Sequence, residues 1–483
     1  MKKASARKLA LLSLRRIPAF VAVAIVVGFF LAPIWQPVSG QEAIQVLDTH
    51  VTADFPTSLT FYVKAQGAAS ITKAEVRFNL ERKTCASSES SGFAQFDSGK
   101  SIDTSWTWDT RKGGTLPPGA VVHYRWVLQD ASGATLETPD QTYVATDARY
   151  SWQSIEKAPL TIYWYQGDQA FANSLMYAAQ NALSRLDASA GARPDKPVKL
   201  FIYGSTDDLH GALVFPEEWT GGVTFGGFNI IVLGITPADL AWGQRAISHE
   251  LTHVVVGQVT FNCFRDIPAW LAEGLATYNE DPSKKPQASY ADALKKALAS
   301  GQLLSVRGIG GAFPTDPNKA ILAYGESFSL IQYLTEKYGP QKLNLLLSLY
   351  RSGTATDAAL RQVYGFDQDG LDSEWRAYLG APASAQGTAT PTPIAIPMPT
   401  FAPYTLASPT PTSASVSQAT PTATTVAKES TPTPAARRQG GFGCNAGLPP
   451  PTRSTSGPFP AAFMPIGVLA LGAVAFVVRR RKP

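Results

Sequence analysis

Histidine and cysteine are scarce in this 483-residue chain, with five of the first and three of the second. Three cysteines cannot build a disulfide framework, so the fold has to rest on hydrophobic cores. A Cys85–Cys263 bridge is one available pairing, and it would leave Cys444 over. Charged residues make up only 16% of the chain. The formal net charge of +5 is a property of the two ends. Ten of the 42 Lys and Arg residues lie in the first 16 and last five positions, where there is no acid, which leaves 32 basic against 37 acidic residues between them. A weakly acidic middle excludes the basic footprint of a nucleic-acid-binding protein.

The ends suggest an address. Lys2, Lys3, Arg7, Lys8, Arg15 and Arg16 precede the apolar run "IPAFVAVAIVVGFFLAPIW", and small residues follow up to Gly40. That order predicts a signal peptide over 1–40, with an uncleaved N-terminal anchor as the alternative because the run is long. Residues 461–478 are uncharged and long enough to span a bilayer, and "RRRK" follows at once. The positive-inside rule then puts a basic tail, 479–483, in the cytoplasm and the rest of the chain outside the cell. The same C-terminal arrangement also resembles tails that prokaryotic sorting enzymes remove. Between 381 and 460 lie 16 of the 36 prolines, mixed with Ser and Thr. Such a segment buries too little apolar surface to order itself and reads as a stalk.

The remainder is long enough for two units. Over 44–147, "SLTFYVKA", "KAEVRFNLE", "TSWTWDT" and "VVHYRWVLQD" alternate apolar with polar residues, separated by "RKGG", "LPPG" and "DASG". Short strands at that spacing predict an all-β, immunoglobulin-like sandwich. Its histidines, His50 and His123, are isolated, and the unit's expected job is spacing, binding or covering a site. Over 158–380 the pattern is mixed: "PLTIYWYQ" and "KPVKLFIYG" as strands around a helix stopped by Gly191, a glycine-rich hairpin "GGVTFGGFNIIVLG", then a helical half. The predicted fold class is α+β.

Two of the five histidines fall in "RAISHELTHVVVG". On a helix His249 and His253 lie one turn apart on one face, so both imidazoles can reach one ion, and Glu250 is turned about 100° away, toward a water on that ion. A catalytic zinc takes three protein ligands and one open position. The alternative is a helix with two exposed or core histidines. No histidine follows His253 within six residues, so the metal reading takes its third-ligand candidate from further on. Glu273, in "IPAWLAEGLATY", sits on a predicted apolar helix where an unpaired carboxylate is costly. Gly274 beside it suits a close helix–helix approach.

"HELTH" followed by "IPAWLAEGLATY" resembles the gluzincin metallopeptidases, most of all the peptidase MA-like group, over roughly 158–380. The resemblance implies a zincin-like catalytic domain, a small sheet with active-site helices and a helical C-terminal half. It also implies Zn²⁺ held by His249, His253 and Glu273, with Glu250 as general base, and a peptide or protein as substrate. Members of that clan use a tyrosine on a later helix to support the developing oxyanion. Tyr324, in "LAYGESFSLIQYL", is the match here, although Gly325 departs from the pattern and a core tyrosine is an equal alternative. Thermolysin-like relatives orient a zinc histidine with an Asp four residues after the ligand Glu; that position is Thr277 here, so the orienting group must differ. The glycine-rich 221–227 segment falls where gluzincins carry the strand that pairs with substrate, with an ordinary hairpin as an equal alternative. Two rival expectations stand: a non-catalytic surface binding protein on the same fold, and a zinc hydrolase of another amide, such as a cell-wall peptide.

Overall fold

The computed structural model describes residues 43–86, 88–113, 115–215 and 221–383. The expected signal peptide, the membrane span, the basic tail and all but the first residues of the stalk lie outside them. Among the described residues no helix is long and apolar enough to cross a membrane.

The first unit is a seven-stranded antiparallel sheet: β1 (Ile44–Asp54), β2 (Ser58–Leu80), β3 (Ser90–Phe93), β4 (Gly99–Asp109), β5 (Val121–Asp130), β6 (Thr135–Glu137) and β7 (Gln141–Val144). The alternation in β5 sends Val122, Tyr124, Trp126 and Leu128 inward and leaves Val121, His123, Arg125 and Val127 more exposed. The two strands expected from "SLTFYVKA" and "KAEVRFNLE" are one 23-residue strand, β2. No Pro or Asn turn separates them; instead the pairing with β4 shifts register between Gln66 and Ile71. β2 pairs with β1 and β4 in its first half and with β3 and β5 in its second. Phe61 and Phe78 lie 17 residues apart, about 55 Å of straight strand, yet their rings stack at 5.5 Å. The strand therefore bends back and its halves close over a shared core with Trp106 and Tyr124. That gives two facing layers through one continuous strand, which does not establish an immunoglobulin arrangement of two separate sheets.

The second unit begins with a five-stranded sheet formed by β8 (Gln153–Lys157), β9 (Leu160–Trp164), β10 (Val198–Tyr203), β11 (Gly222–Phe225) and β12 (Ile230–Gly234). Its order is β11-β12-β10-β9-β8, with β9, β10 and β12 parallel and β8 and β11 antiparallel at the two edges. Helix α1 (Gln169–Ala190) makes the crossover from β9 to β10. Asp168 caps its start by accepting from the Phe171 amide at 2.8 Å, and Gly191, at φ 61°, ends it. A short helix, α2 (Thr206–His210), follows β10. Then come α3 (Leu240–Thr260), α4 (Ala269–Glu280), α5 (Ala288–Ser300), α6 (Pro317–Tyr338), α7 (Pro340–Arg351), α8 (Thr356–Tyr364) and α9 (Gln368–Tyr378).

Strand alternation gives this sheet two buried faces. Leu200 and Ile202 of β10 and Ile231 and Leu233 of β12 pack with α1 and α3. Phe201 and Tyr203, with Ile230 and Val232, belong to the same hydrophobic cluster as Phe61, Trp126 and Leu128 of the first unit. The two units thus share a core layer. Their junction also carries a polar lock: buried Asp147 accepts from Arg149 and from the Tyr203 hydroxyl, and Asp208 accepts from the hydroxyls of Tyr150 and Tyr165.

A second tie lies at the far end of α3. Cys85 and Cys263 form a disulfide with their Cα atoms 5.5 Å apart, bridging the first unit to the segment after α3. Close by, Lys83 Nζ donates to the Gln258 carbonyl at 2.8 Å, taking up one of the carbonyls a helix end leaves unpaired. The Gln258 side chain, buried on α3, donates to Asn229 Oδ1 and accepts from the amides of Asp195 and Lys196.

Candidate metal centre

Helix α3 buries Ile247, Leu251, Val254 and Val255 at helical spacing against the sheet, and this fixes where His249 and His253 point. α4 crosses it. The Asn279 side chain at the end of α4 donates to Thr252 Oγ1 at 2.8 Å, and Arg185 of α1 donates to the Asn279 carbonyl and to Ser248 Oγ. The first amides of α4 are received by the carbonyls of Gly310 and Ile309. Gly274 is required by a close approach, but the neighbour is α6 rather than α3: a Cβ there would lie 2.5 Å from the Ser327 carbonyl oxygen.

These elements bring His249, His253 and Glu273 together. His253 Nε2 lies 3.1 Å from His249 Nε2, and Glu273 Oε2 lies 3.4 Å from each. Three donor atoms bound to one zinc at 2.0–2.1 Å with tetrahedral angles stand about 3.3 Å apart, so the spacing fits a tetrahedral ion with one position left over. Glu273 Oε2 is buried and accepts no hydrogen bond, an orphaned acceptor directed at the same point. Burial alone would push the Glu273 carboxyl up, but the imidazoles of His253 and His249 hold it well below the usual carboxylate range. Among the described residues this is the group of His, Cys, Asp and Glu side chains placed to hold a metal.

The orienting group that Thr277 could not supply is Glu280. Its Oε1 lies 2.8 Å from His249 Nδ1, and its Oε2 accepts from Gln287 Nε2 at 2.9 Å. Because a carboxylate accepts, Nδ1 carries the hydrogen and the Nε2 lone pair is presented to the centre. Glu280 stands seven residues, two turns, after Glu273 and so on the same helix face. That spacing is the signal that would have found it. Thr277 instead bonds back to the Glu273 carbonyl.

Glu250 is buried, and its Oε2 receives the Thr224 hydroxyl of β11 at 2.6 Å. Nothing in the sequence marks Thr224. Tyr324 is half-buried on α6, stacked on Tyr290 at 5.4 Å and edge-on to Phe313 at 5.0 Å, and is not one of the three clustered donors. In the first unit, His50 lies beside Asp48 and Tyr62, and His123 beside Thr142 and Glu81.

Two crossing helices thus present two imidazoles and a carboxylate that could hold a metal ion, with a second glutamate beside them. Residues 178–381 match the family model described as the Peptidase MA superfamily. The matched stretch contains α3, α4 and the whole donor set. No curated protein matches the chain. Among solved structures, an M1 zinc metallopeptidase from Deinococcus radiodurans is 13% identical and covers 75% of this chain and 98% of its own, at a TM-score of 0.31. OgpA from Akkermansia muciniphila is 13% identical and covers 24% of this chain and 32% of its own, at 0.19. A family 56 carbohydrate-binding module is 13% identical and covers 21% and 96%, at 0.14.

Proposed function

We propose that the chain is a zinc metallopeptidase, tethered to a membrane with its catalytic unit outside the cell, that hydrolyses peptide bonds of a peptide or protein substrate. The observation that carries the chemistry is the convergence of His249, His253 and Glu273 around an orphaned carboxylate oxygen. The address rests on the sequence of the two ends. Bound zinc would polarise the scissile carbonyl and lower the pKa of a water toward neutrality.

The side chains supply the rest. Glu280 keeps His249 in the tautomer that ligates. Glu250 accepts a proton from the attacking water and delivers it to the leaving nitrogen, the two halves of general acid–base catalysis. β11 is the outer strand of its sheet, so an extended substrate backbone can add alongside it. Tyr324 is the donor assigned to the oxyanion, and replacing it by Phe tests that role separately. The aromatic packing of its ring suits a fixed hydroxyl.

The test is zinc per chain by mass spectrometry, with casein cleavage by wild type and by Glu250→Gln. One zinc per chain and loss of cleavage only in the variant are expected. A wild type that retains no zinc, or two proteins that cut equally well, overturns the proposal.

A further inference from the structure

We propose that Thr224 is a positioning residue for Glu250, so that the edge strand of the sheet sets the placement of the general base. This deepens the peptidase reading and rests on it.

Thr224 Oγ1 lies 2.6 Å from Glu250 Oε2 and 3.2 Å from the Glu250 carbonyl oxygen. A threonine hydroxyl has one hydrogen. The shorter contact, to a carboxylate, is the stronger of the two, and the hydrogen goes there. Both residues are nearly closed to solvent, at 1% and 3% exposure, so bulk water cannot replace the bond if the hydroxyl is removed. A carboxylate on an α-helix otherwise keeps several rotamers, and the hydroxyl selects one of them.

The strand that carries Thr224 is held from both sides. β11 pairs antiparallel with β12, Thr224 opposite Ile231. Thr224 points to α3, while its neighbours Val223 and Phe225 pack against the hydrophobic cluster that the two units share, as does Phe228 in the following turn. The Lys83 amide donates to the Gly227 carbonyl at 2.7 Å in that same turn. Gly222, one residue beyond Val223, places a would-be Cβ 3.6 Å from Glu250 Cγ, so the strand lies directly over the base. The shared cluster and the Lys83 amide therefore hold this edge of the sheet, and β11 meets the Glu250 carboxylate through the Thr224 hydroxyl. Thr224 need not touch substrate to do this.

The experiment compares wild type, Thr224→Val, Thr224→Ser and Glu250→Gln for kcat, KM and zinc per chain, with a crystal structure of zinc-free Thr224→Val. Valine keeps the shape and removes the hydroxyl; serine keeps the hydroxyl. Thr224→Val is expected to lower kcat about 100-fold, the scale of a one-ångström misplacement, with KM and zinc content little changed. Thr224→Ser should restore most of the rate, and the Glu250 carboxylate should turn from its wild-type position in the valine variant. Wild-type kcat in Thr224→Val beside an inactive Glu250→Gln overturns the proposal. So does a serine variant no better than valine, or a valine variant that also loses zinc, since each makes Thr224 a packing residue. If wild type and Glu250→Gln cleave alike, the peptidase reading itself has failed. The crystal structure then decides Thr224 alone, because an unmoved Glu250 overturns it.

Discussion

His50 and His123 stand on half-open strands of the first unit, each beside one acid, whereas His249 and His253 are buried one helical turn apart and share Glu273. The glutamates divide the same way. Glu75, in the first unit, is buried between Arg77 and Lys73; burial would raise its carboxyl, and the two cations more than offset it. Glu326, in the second, is fully buried on α6. One of its oxygens accepts from the Leu304 amide, and the other makes no hydrogen bond. A strand puts residues two apart on one face, so Glu75 is settled by Lys73 and Arg77 and His50 by Asp48, close neighbours on the same strand. A helix stacks residues four and seven apart on one face, and two crossing helices can aim three donors at one point. The residue types are common to both units, and the secondary structure decides whether they converge.

The comparison breaks most easily at the metal. His253→Ala should lower retained zinc from about one per chain to background, while the double replacement of His50 and His123 by Ala should leave it untouched. Zinc loss on altering the first-unit histidines would mean the two pairs do not differ as described.

The next effect concerns the shared core. Phe201→Ala, on the sheet face that meets the first unit, should cost about 3–5 kcal/mol of stability. Scanning calorimetry should show one cooperative transition moving down for the whole 43–383 fragment. Two transitions, only one of them displaced, would show the units to be energetically separate.

Glu280→Ala should weaken zinc binding by about 10- to 100-fold, read by competition with a fluorescent chelator, and Glu280→Gln should lose less. An affinity equal to wild type would remove Glu280 from the centre.

The smallest effect is a slope. Burial raises the Glu326 carboxyl to about 8, with the Leu304 amide and Arg376 pulling it down and Asp372 adding to the rise. The same group in an unfolded chain titrates at about 4.3. Between those values the folded state holds a proton that the unfolded state releases, so this group makes stability fall as pH rises. The melting temperature should decline from pH 5 to 8, and Glu326→Gln should flatten the decline. The matching replacement of Glu75, already ionised in the fold, should not.

Much of the centre was legible in the sequence because its geometry is local. The four-residue spacing of His249 and His253 is about one helical turn, and the apolar setting of Glu273 marks a carboxylate that needs a partner. The rest depends on contacts distant in sequence. Thr224 meets Glu250 only because β11 folds over α3, and Cys85 meets Cys263 across 178 residues. Glu280 was readable in principle, two turns beyond Glu273, but its position at the end of the helix looks like an ordinary solvated terminus. In the first unit, alternation located the strands, and it could not show that β2 runs unbroken through a bend, because a bulge leaves the alternating pattern on both sides intact.

The shared layer of Phe201, Tyr203, Ile230 and Val232 has a practical side. A fragment trimmed to begin at β8, the obvious cut for producing the second unit alone, would turn that sheet face into an open apolar surface. Such a fragment should come out of the cell as aggregate or bound to chaperones, with His249, His253 and Glu273 intact in sequence. The smallest portion worth expressing is the one that brings its own cover.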